Sequence, residues 1–430
     1  MHPVHPVEPK PIAIVGGGPA GLAAAIALAQ AGQRVVVLER GSWPRDKVCG
    51  EGVMPSGVEV LDRLGVLPLL EPDQCRPFVG IGWVDAQGAG VEGDFASGHG
   101  LAIRRTGLSA ALVLRAQALK NIELWERSCV MDMTLQSDGM LLSISQGKEQ
   151  RHLLAQVVIG ADGRNSPTRK RCGLQGAPPV RVRRWGARQH FTVAPWSDRV
   201  EVWWADGVEA YITPSSDSRV EVALLWDETA FEPPAKGPKL VMAALAQFPQ
   251  LYARLSGAFD SPSSIAAAVG PLAVAATSAS TDRVILMGDA VGYVDGITGE
   301  GITAGLLQAE AIAEMLPQRI QEGQVNAAGL QILGDRVQGI FRETVPLAKA
   351  ALLLSRHQAL RKLVFRGLSC APGLFTHLLE LNMGRTRWYR TRPSHLLHFI
   401  LGLVRPNGEA TPSMRLISET HWADDATPTR

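Results

Sequence analysis

Along the first third of the chain, apolar residues fall in short unbroken runs separated by glycine-rich turns, and the first of these runs sets the pattern. Lys10 to Arg40 reads KPIAIVGGGPAGLAAAIALAQAGQRVVVLER. Ile12 to Val15 and Val35 to Leu38 are apolar at every position, as expected of parallel strands buried on both faces. Between them lies a small-residue helix from Pro19 to Ala31. This predicts a strand, tight turn, helix, strand unit. Gly16, Gly18 and Gly21 stand at GxGxxG spacing. The first allows the sharp turn, the second lets backbone approach a pyrophosphate, and the third lets the helix pack closely on the strand. Free N–H groups and the helix dipole at Pro19 favour the negative charge of phosphates. Glu39, at the end of the second strand, is placed to accept both hydroxyls of a ribose. The unit therefore predicts a dinucleotide site. Pro11 to Gln33 carries no charged residue, but five glycines and two prolines interrupt it, whereas a membrane span wants about 20 predominantly apolar residues.

The pattern then changes several times. Arg40 to Val66 is a glycine-broken loop leading into a short helix, and its Arg45, Lys47, Cys49 and Glu51 are near enough to wrap a cofactor. Cys49 reads equally as a reactive thiol or as a small residue packed in a tight loop. Short strands over 78–100 precede an amphipathic helix starting near Arg105, where a cation is unfavourable for the helix dipole and is explained by a phosphate or flavin oxygen, or by simple solvation. Strands are expected around Ile122 to Met131 and Leu141 to Ser145. Val157 to Gly160 is a further buried strand, running into Asp162 and Gly163, where open parallel sheets place ligand contacts.

From Arg181 to Glu228, polar and apolar residues alternate with DG and SS turns between them, the signature of antiparallel strands in a second sheet. Five of the ten tryptophans lie there, Trp185, Trp196, Trp203, Trp204 and Trp226, either lining a pocket or forming core. Arg181, Arg183, Arg184 and Arg188 read most simply as a solvated strand face, with contact to a phosphate of a transient ligand as the sharper option. Val284 to Met287 then gives another strand, followed by Gly288-Asp289, a glycine-studded loop and a helix from about Gly301. Beyond Pro317 the chain is mostly helical, with a basic, amphipathic stretch expected to pack on the first lobe rather than to lie on a membrane.

At 430 residues the chain should form two or three lobes, at about 150 residues per domain. Its formal net charge of +2 gives no general reason to expect nucleic acid or an anionic membrane as partner. The five cysteines are odd in number, widely spaced and without CxxC, so neither a metal site nor a disulfide framework is expected. With no export signal in evidence, a cytoplasmic location is expected. The proline-rich start and the polar end from Asn407 read as tails.

Three motifs in this order resemble the FAD-dependent monooxygenase and geranylgeranyl reductase superfamily, with a fold like that of p-hydroxybenzoate hydroxylase. GGGPAG with Glu39 matches its FAD-binding motif, GADGRNSPTRK its DG motif, and MGDAVGYVDGITGEGI its GD motif. The resemblance spans roughly Pro11 to Leu316. It implies an α/β fold with an α+β second lobe: a Rossmann-like FAD-binding lobe from 10–180 and 270–330, a substrate-side antiparallel sheet over 181–269 with strands from 78–100 inserted, and a C-terminal helical region over 331–410. The implied cofactor contacts are Gly16, Gly18, Ala20, Gly21, Glu39, Arg40, Cys49, Arg105, Val130, Asp162, Gly163, Asp289, Gly299, Gly301 and Ile302. KVCGEG and TGEGI look more like the geranylgeranyl reductase side, whereas Gly292 and Gly296 replace a common histidine and proline near the flavin ring. No WxWxIP string is present, which argues against halogenation.

The resemblance implies non-covalent FAD reduced by transient NAD(P)H. The leading function is hydroxylation of an aromatic or other electron-rich substrate, small or part of a protein. Part of the branch resembles the maturation enzymes of quinone-cofactor oxidases, which act on a peptidyl tryptophan. The alternative is saturation of isoprenoid double bonds, and a third reading is a flavin-bound binding protein without turnover. No residue stands out as a catalytic acid or base.

Overall fold

A computed structural model describes residues 10–258 and 267–404. The proline-rich start and the polar end lie outside the described residues. The two apolar runs of the opening motif pair in parallel, Ile12 opposite Val35. They sit at the centre of a six-stranded sheet ordered Ser280–Thr281, Val284–Leu286, Val157–Gly160, Ile12–Val15, Val35–Leu38, Ile122–Trp125. All neighbours are parallel except the short edge strand Ser280–Thr281. The helix Pro19–Gln30 is buried nearly throughout because the helices Gly301–Gln321 and Arg105–Gln117 pack against it. That explains its lack of a polar face: a helix apolar all round belongs in a core. A three-stranded antiparallel sheet, Ser128–Gln136, Gly139–Gln146 and Glu149–Ala155, stands beside this lobe.

The second sheet has seven strands, ordered Ala267–Val269, Arg184–Phe191, Arg219–Asp227, Val208–Ser216, Val200–Ala205, Gly80–Asp85, Gly90–Asp94. It is mostly antiparallel, but Val200–Ala205 runs parallel to Gly80–Asp85, a departure from the all-antiparallel expectation. A strand separated from its neighbour by more than a hundred residues is not bound to hairpin geometry. Side chains alternate across this sheet. The far face, with Ala187, Trp203, Ala210, Ile212, Val222, Leu224 and Trp226, packs under the helices Leu240–Ala244 and Pro249–Leu255. The near face turns toward the first lobe.

Both faces are covered, and this overturns the reading of the arginines as a solvated face. Arg184 and Arg188 are buried, whereas Arg181 and Arg183 are exposed. Arg184 pairs with Glu209 of its own sheet and, at 2.9 Å, with Asp295 in the loop before Gly301. Burial pulls the guanidinium down, but the two carboxylates hold it above its usual value. Tyr211 adds a 2.7 Å hydrogen bond to the Ile297 carbonyl, so the sheet grips this loop at two points.

The C-terminal helices also depart from expectation. Ala327–Arg356 packs on Gly301–Gln321 of the first lobe, but Gln358–Cys370 and Pro372–Asn382 pack on the edge strand Gly90–Asp94 of the second sheet. Phe375 and Phe365 meet the Trp83 ring there, at centroid separations of 4.9 and 5.9 Å. Among the described residues no helix is long and apolar enough to cross a membrane.

Arg184→Met leaves Glu209 and Asp295 buried without their counter-charge. Breaking a buried pair costs about 3–5 kcal/mol, whereas Arg34→Met at the exposed Arg34–Glu123 pair should cost no more than about 1 kcal/mol. Urea unfolding of both variants measures the contrast; equal effects would mean that the Arg184 pair does not hold the loop.

Candidate functional site

A cavity of about 530 Å³ runs from the glycine turn to the near face of the second sheet. At one end, the turn after Val15 needs its glycines for separate reasons. Gly16 has a φ of +109°, and a Cβ there would sit 2.4 Å from the Ala161 carbonyl oxygen. A Cβ on Gly21 would lie 2.0 Å from the Gly16 carbonyl, so the helix start can approach the strand only with glycine there. Gly17 lies under the Trp43 indole, whose N–H donates to its carbonyl at 2.8 Å.

Glu39 is buried, and its carboxylate accepts from the Gly17 N–H at 3.0 Å and the Gly41 N–H at 2.8 Å. It braces the turn as well as facing the cavity, a role that spacing alone did not reveal. Each oxygen retains acceptor capacity for a ligand hydroxyl. Arg105 begins the helix Arg105–Gln117 and is buried, with its Nε lacking a hydrogen-bond partner. Its Nη2 lies 3.7 Å from where a Cβ on Gly18 would be. Burial lowers this guanidinium's proton affinity, with Asp289 and Glu51 among the groups opposing that shift. A buried cation with an unpartnered Nε beside the half-buried backbone of Gly16 and Gly18 suits a pyrophosphate.

The middle of the cavity joins the DG and GD loops. Asp162 accepts from the Thr168 N–H at 2.9 Å and from the Ser166 hydroxyl, capping the short helix Pro167–Arg171. Arg169 in that helix is buried and donates to the Ala290 and Arg164 carbonyls at 2.8 and 2.7 Å. Asp289 pairs with Lys47 at 2.8 Å. Burial pushes the Asp289 carboxyl up, but Lys47 and then Arg105 hold it below the usual carboxylate range. Past Gly299, at φ +70°, Glu300 lines the cavity with one oxygen unpartnered, and burial raises its carboxyl well above the usual range. Burial also raises the Cys49 thiol, which argues against a thiolate nucleophile.

Of the residues singled out in the sequence, Gly16, Gly18, Ala20, Glu39, Arg40, Cys49, Arg105, Val130, Asp162, Gly163, Asp289, Gly299, Gly301 and Ile302 all line this one cavity. Gly21 does not, being spent on helix packing. Sequence reasoning passed over Trp43, Arg169 and Glu300 as site-forming groups. Glu300 alone carried a signal, in TGEGI.

The far wall of the cavity is the near face of the second sheet. Gly186, Val200, Val202, Tyr211, Ala223 and Leu225 form its floor, with Trp83, Leu272, Leu347, Ala351 and Leu379 around them. None of the five tryptophans of the 181–228 stretch is among the lining residues. Trp203 and Trp226 belong to the far-face core, and Trp204 packs behind Trp83. The stripe is core; the tryptophan on the cavity is Trp83.

A glycine turn on a parallel sheet, an unsatisfied arginine beside it and an apolar chamber under a second sheet define a flavin-dependent oxidoreductase. Residues 10–330 match the FAD binding domain family, and the chain belongs to it. The menaquinone reductase of Mycobacterium tuberculosis is 26% identical over 330 residues, covering 72% of this chain and 76% of that protein. The 6-hydroxy-3-succinoylpyridine 3-monooxygenase of Pseudomonas putida is 28% identical over 335 residues, 73% of this chain and 80% of that one. Among solved structures, a flavoprotein/dehydrogenase from Cytophaga hutchinsonii superposes with a TM-score of 0.75 at 18% identity, covering 88% of this chain and 93% of the other. FAD is the cofactor of this chain.

Glu39→Ala removes a charge-assisted acceptor and frees the Gly17 and Gly41 N–H groups. FAD affinity should fall roughly ten- to a hundredfold, for about 1.5–3 kcal/mol, with a lowered melting temperature; fluorescence titration checks the first and thermal unfolding the second. At Asp289 the expected order of FAD retention is wild type, then Asn, then Ala, because asparagine keeps an acceptor. Equal retention on dialysis would place the cofactor away from this strand end.

Proposed function

We propose that this chain is an NAD(P)H-driven FAD monooxygenase that hydroxylates an aromatic or other electron-rich ring, and within that class a peptidyl tryptophan during quinone-cofactor biogenesis. The observation that carries the reading is the chamber floor: Gly186, Val200, Val202, Ala223 and Leu225 present an apolar surface to the same cavity that Cys49, Gly299 and Gly301 line. A flat ring is accommodated there without burying an unpaired charge. In this reading the cofactor is held by the fourteen lining residues named above, with Gly21 supporting them, the first lobe comprises 10–180 and 270–330, and 181–269 with 78–100 forms the substrate side.

Bound FAD supplies the two-electron redox and oxygen-transfer chemistry. Arg105 and the glycine N–H groups would hold its phosphates. Asp289, its carboxyl held low by Lys47, would accept from a hydroxyl of the cofactor. Tyr211 and Arg184 fix the loop 295–299 across the chamber, and the apolar floor excludes water from the reacting edge. NAD(P)H enters transiently, since the chain carries a single dinucleotide motif.

A second reading is saturation of isoprenoid double bonds. The similarity to the digeranylgeranylglycerophospholipid reductase 2 of Methanopyrus kandleri, 27% identical over 356 residues, and the apolar chamber wall of Leu347, Ala351 and Leu379 favour it. The purified flavoprotein, supplied with NAD(P)H and either a tryptophan-containing peptide or a prenyl quinone, separates the two. Oxygen consumption with a product heavier by one oxygen atom, labelled from ¹⁸O₂, is the expected result. A product heavier by two hydrogens without oxygen uptake would replace the first reading by the second. Acid precipitation should leave the yellow chromophore in the supernatant, as non-covalent binding requires.

A further inference from the structure

At one end of the chamber floor lies a group of side chains that the cofactor contacts do not use. His190 and Glu221 are directly opposite each other on the strands Arg184–Phe191 and Arg219–Asp227, and Glu51 reaches them from the loop before the helix Pro55–Arg63. All three are buried, and one ligand-capable atom from each lies within 4.8 Å of the others. Glu51 accepts from the Arg105 N–H at 2.8 Å, and its other oxygen lies 2.9 Å from His190 Nε2. Arg188 Nη1 lies 3.1 Å from His190 Nδ1. A guanidinium only donates, so Nδ1 carries the lone pair and the imidazole proton sits on Nε2, directed at Glu51. Glu51 holds a φ of +54°, a conformation that persists in a side-chain-bearing residue only when the surroundings over-determine it.

Glu221 is the anomaly. It is fully buried, and neither oxygen has a hydrogen-bond partner. The groups facing it are Arg188 and His190 on one neighbouring strand, Thr213 on the other, and Asp46, Cys49 and Glu51 from the loop. Arg188 approaches only to 3.7 Å and is already engaged by Asp46. With Glu51 and Glu221 both ionised, two buried negative charges would face each other, while Arg188 is engaged by Asp46 and the Arg105 guanidinium lies beside the glycine turn. Two carboxylates this close do not both ionise without a cation or a proton between them. A metal ion is the poorer solution, because it would have to take His190 Nε2 from its proton with the Arg188 guanidinium alongside. The proton is the better one, and burial together with Glu51 pushes the Glu221 carboxyl well above the usual range.

We propose that Glu51, His190 and Glu221 share one proton at the chamber wall, and that Glu51, the member lining the cavity, presents it to the bound cofactor and substrate. When the reaction takes up a proton at Glu51, the single proton resting on the Glu221 carboxyl passes to Glu51 and on to the reacting group. Glu221 is left ionised against Arg188, and water reached through the half-exposed Asp46 restores the proton. Glu221 and His190 are positioning residues; only Glu51 faces the reacting groups. The inference rests on this cavity being the reaction site, but not on which reaction occurs, since ring hydroxylation and double-bond saturation both consume protons.

The test uses cofactor-stripped and FAD-loaded full-length protein, wild type and Glu221→Gln. A group whose folded pKa lies above its unfolded value, about 4.3 for glutamate, keeps its proton only in the folded chain across the window between them. Unfolding then releases it, and stability falls as pH rises through that window. Wild type should therefore release about one more proton on unfolding at neutral pH than Glu221→Gln. It should also show one protonated-carboxyl infrared band, shifted in heavy water, that the variant lacks, and turnover of the variant should lose its fall-off on the alkaline side. Should the variant not fold, the band in wild type alone must vanish as pH is raised. Identical proton release and spectra in the two proteins, or one divalent ion per wild-type chain surviving dialysis against chelator, would overturn the proposal. Loss of turnover with every substrate but with the band and proton release intact would instead count against the reaction assigned to the cavity.

Discussion

The two lobes of this protein face each other across the cavity, and polar pairs along the near face of the second sheet tie the cofactor-side loops to it beside a continuous apolar core. At one end Arg184 connects Glu209 to Asp295 and fixes the loop that leads into Gly301–Gln321. At the other, Arg188 reaches Asp46 and His190 reaches Glu51, fixing the loop that follows the opening motif. A buried pair costs much to break and contributes little beyond an apolar contact when intact. Its consequence here is geometric: both cofactor-side loops are referenced to the same rigid sheet, and the floor between the two charged ends is left apolar.

The same economy of charge runs through the cofactor half. Arg105 brings an incompletely satisfied guanidinium to the glycine turn, and Glu39 ties that turn down from below through two backbone N–H groups. Lys47 holds the Asp289 carboxyl below the usual range, whereas burial alone raises that of Glu300 well above it. The cavity thus grades from a cationic end, suited to phosphate, to a chamber whose acidic groups are raised by burial or paired, suited to an uncharged ring.

Local patterns were legible in the sequence because their causes are local. Unbroken apolar runs mean strands covered on both faces, and the spacing of Gly16, Gly18 and Gly21 follows from a single turn and the helix after it. From those residues and the DG and GD loops, the parallel sheet and much of the cofactor end of the cavity could be read, but not the chamber floor. What the sequence could not determine was which face of each alternating strand would be covered, and by what. A period of two says that Arg184, Arg188 and His190 share a face, but not that a second lobe lies over it; only the tertiary fold turned those arginines from solvated groups into buried ones and placed Trp203 and Trp226 behind the sheet rather than on the cavity. Likewise, nothing local in Glu51, His190 and Glu221 announces that residues up to 170 positions apart meet in one dry site, because charge proximity across a fold depends on how the lobes pack.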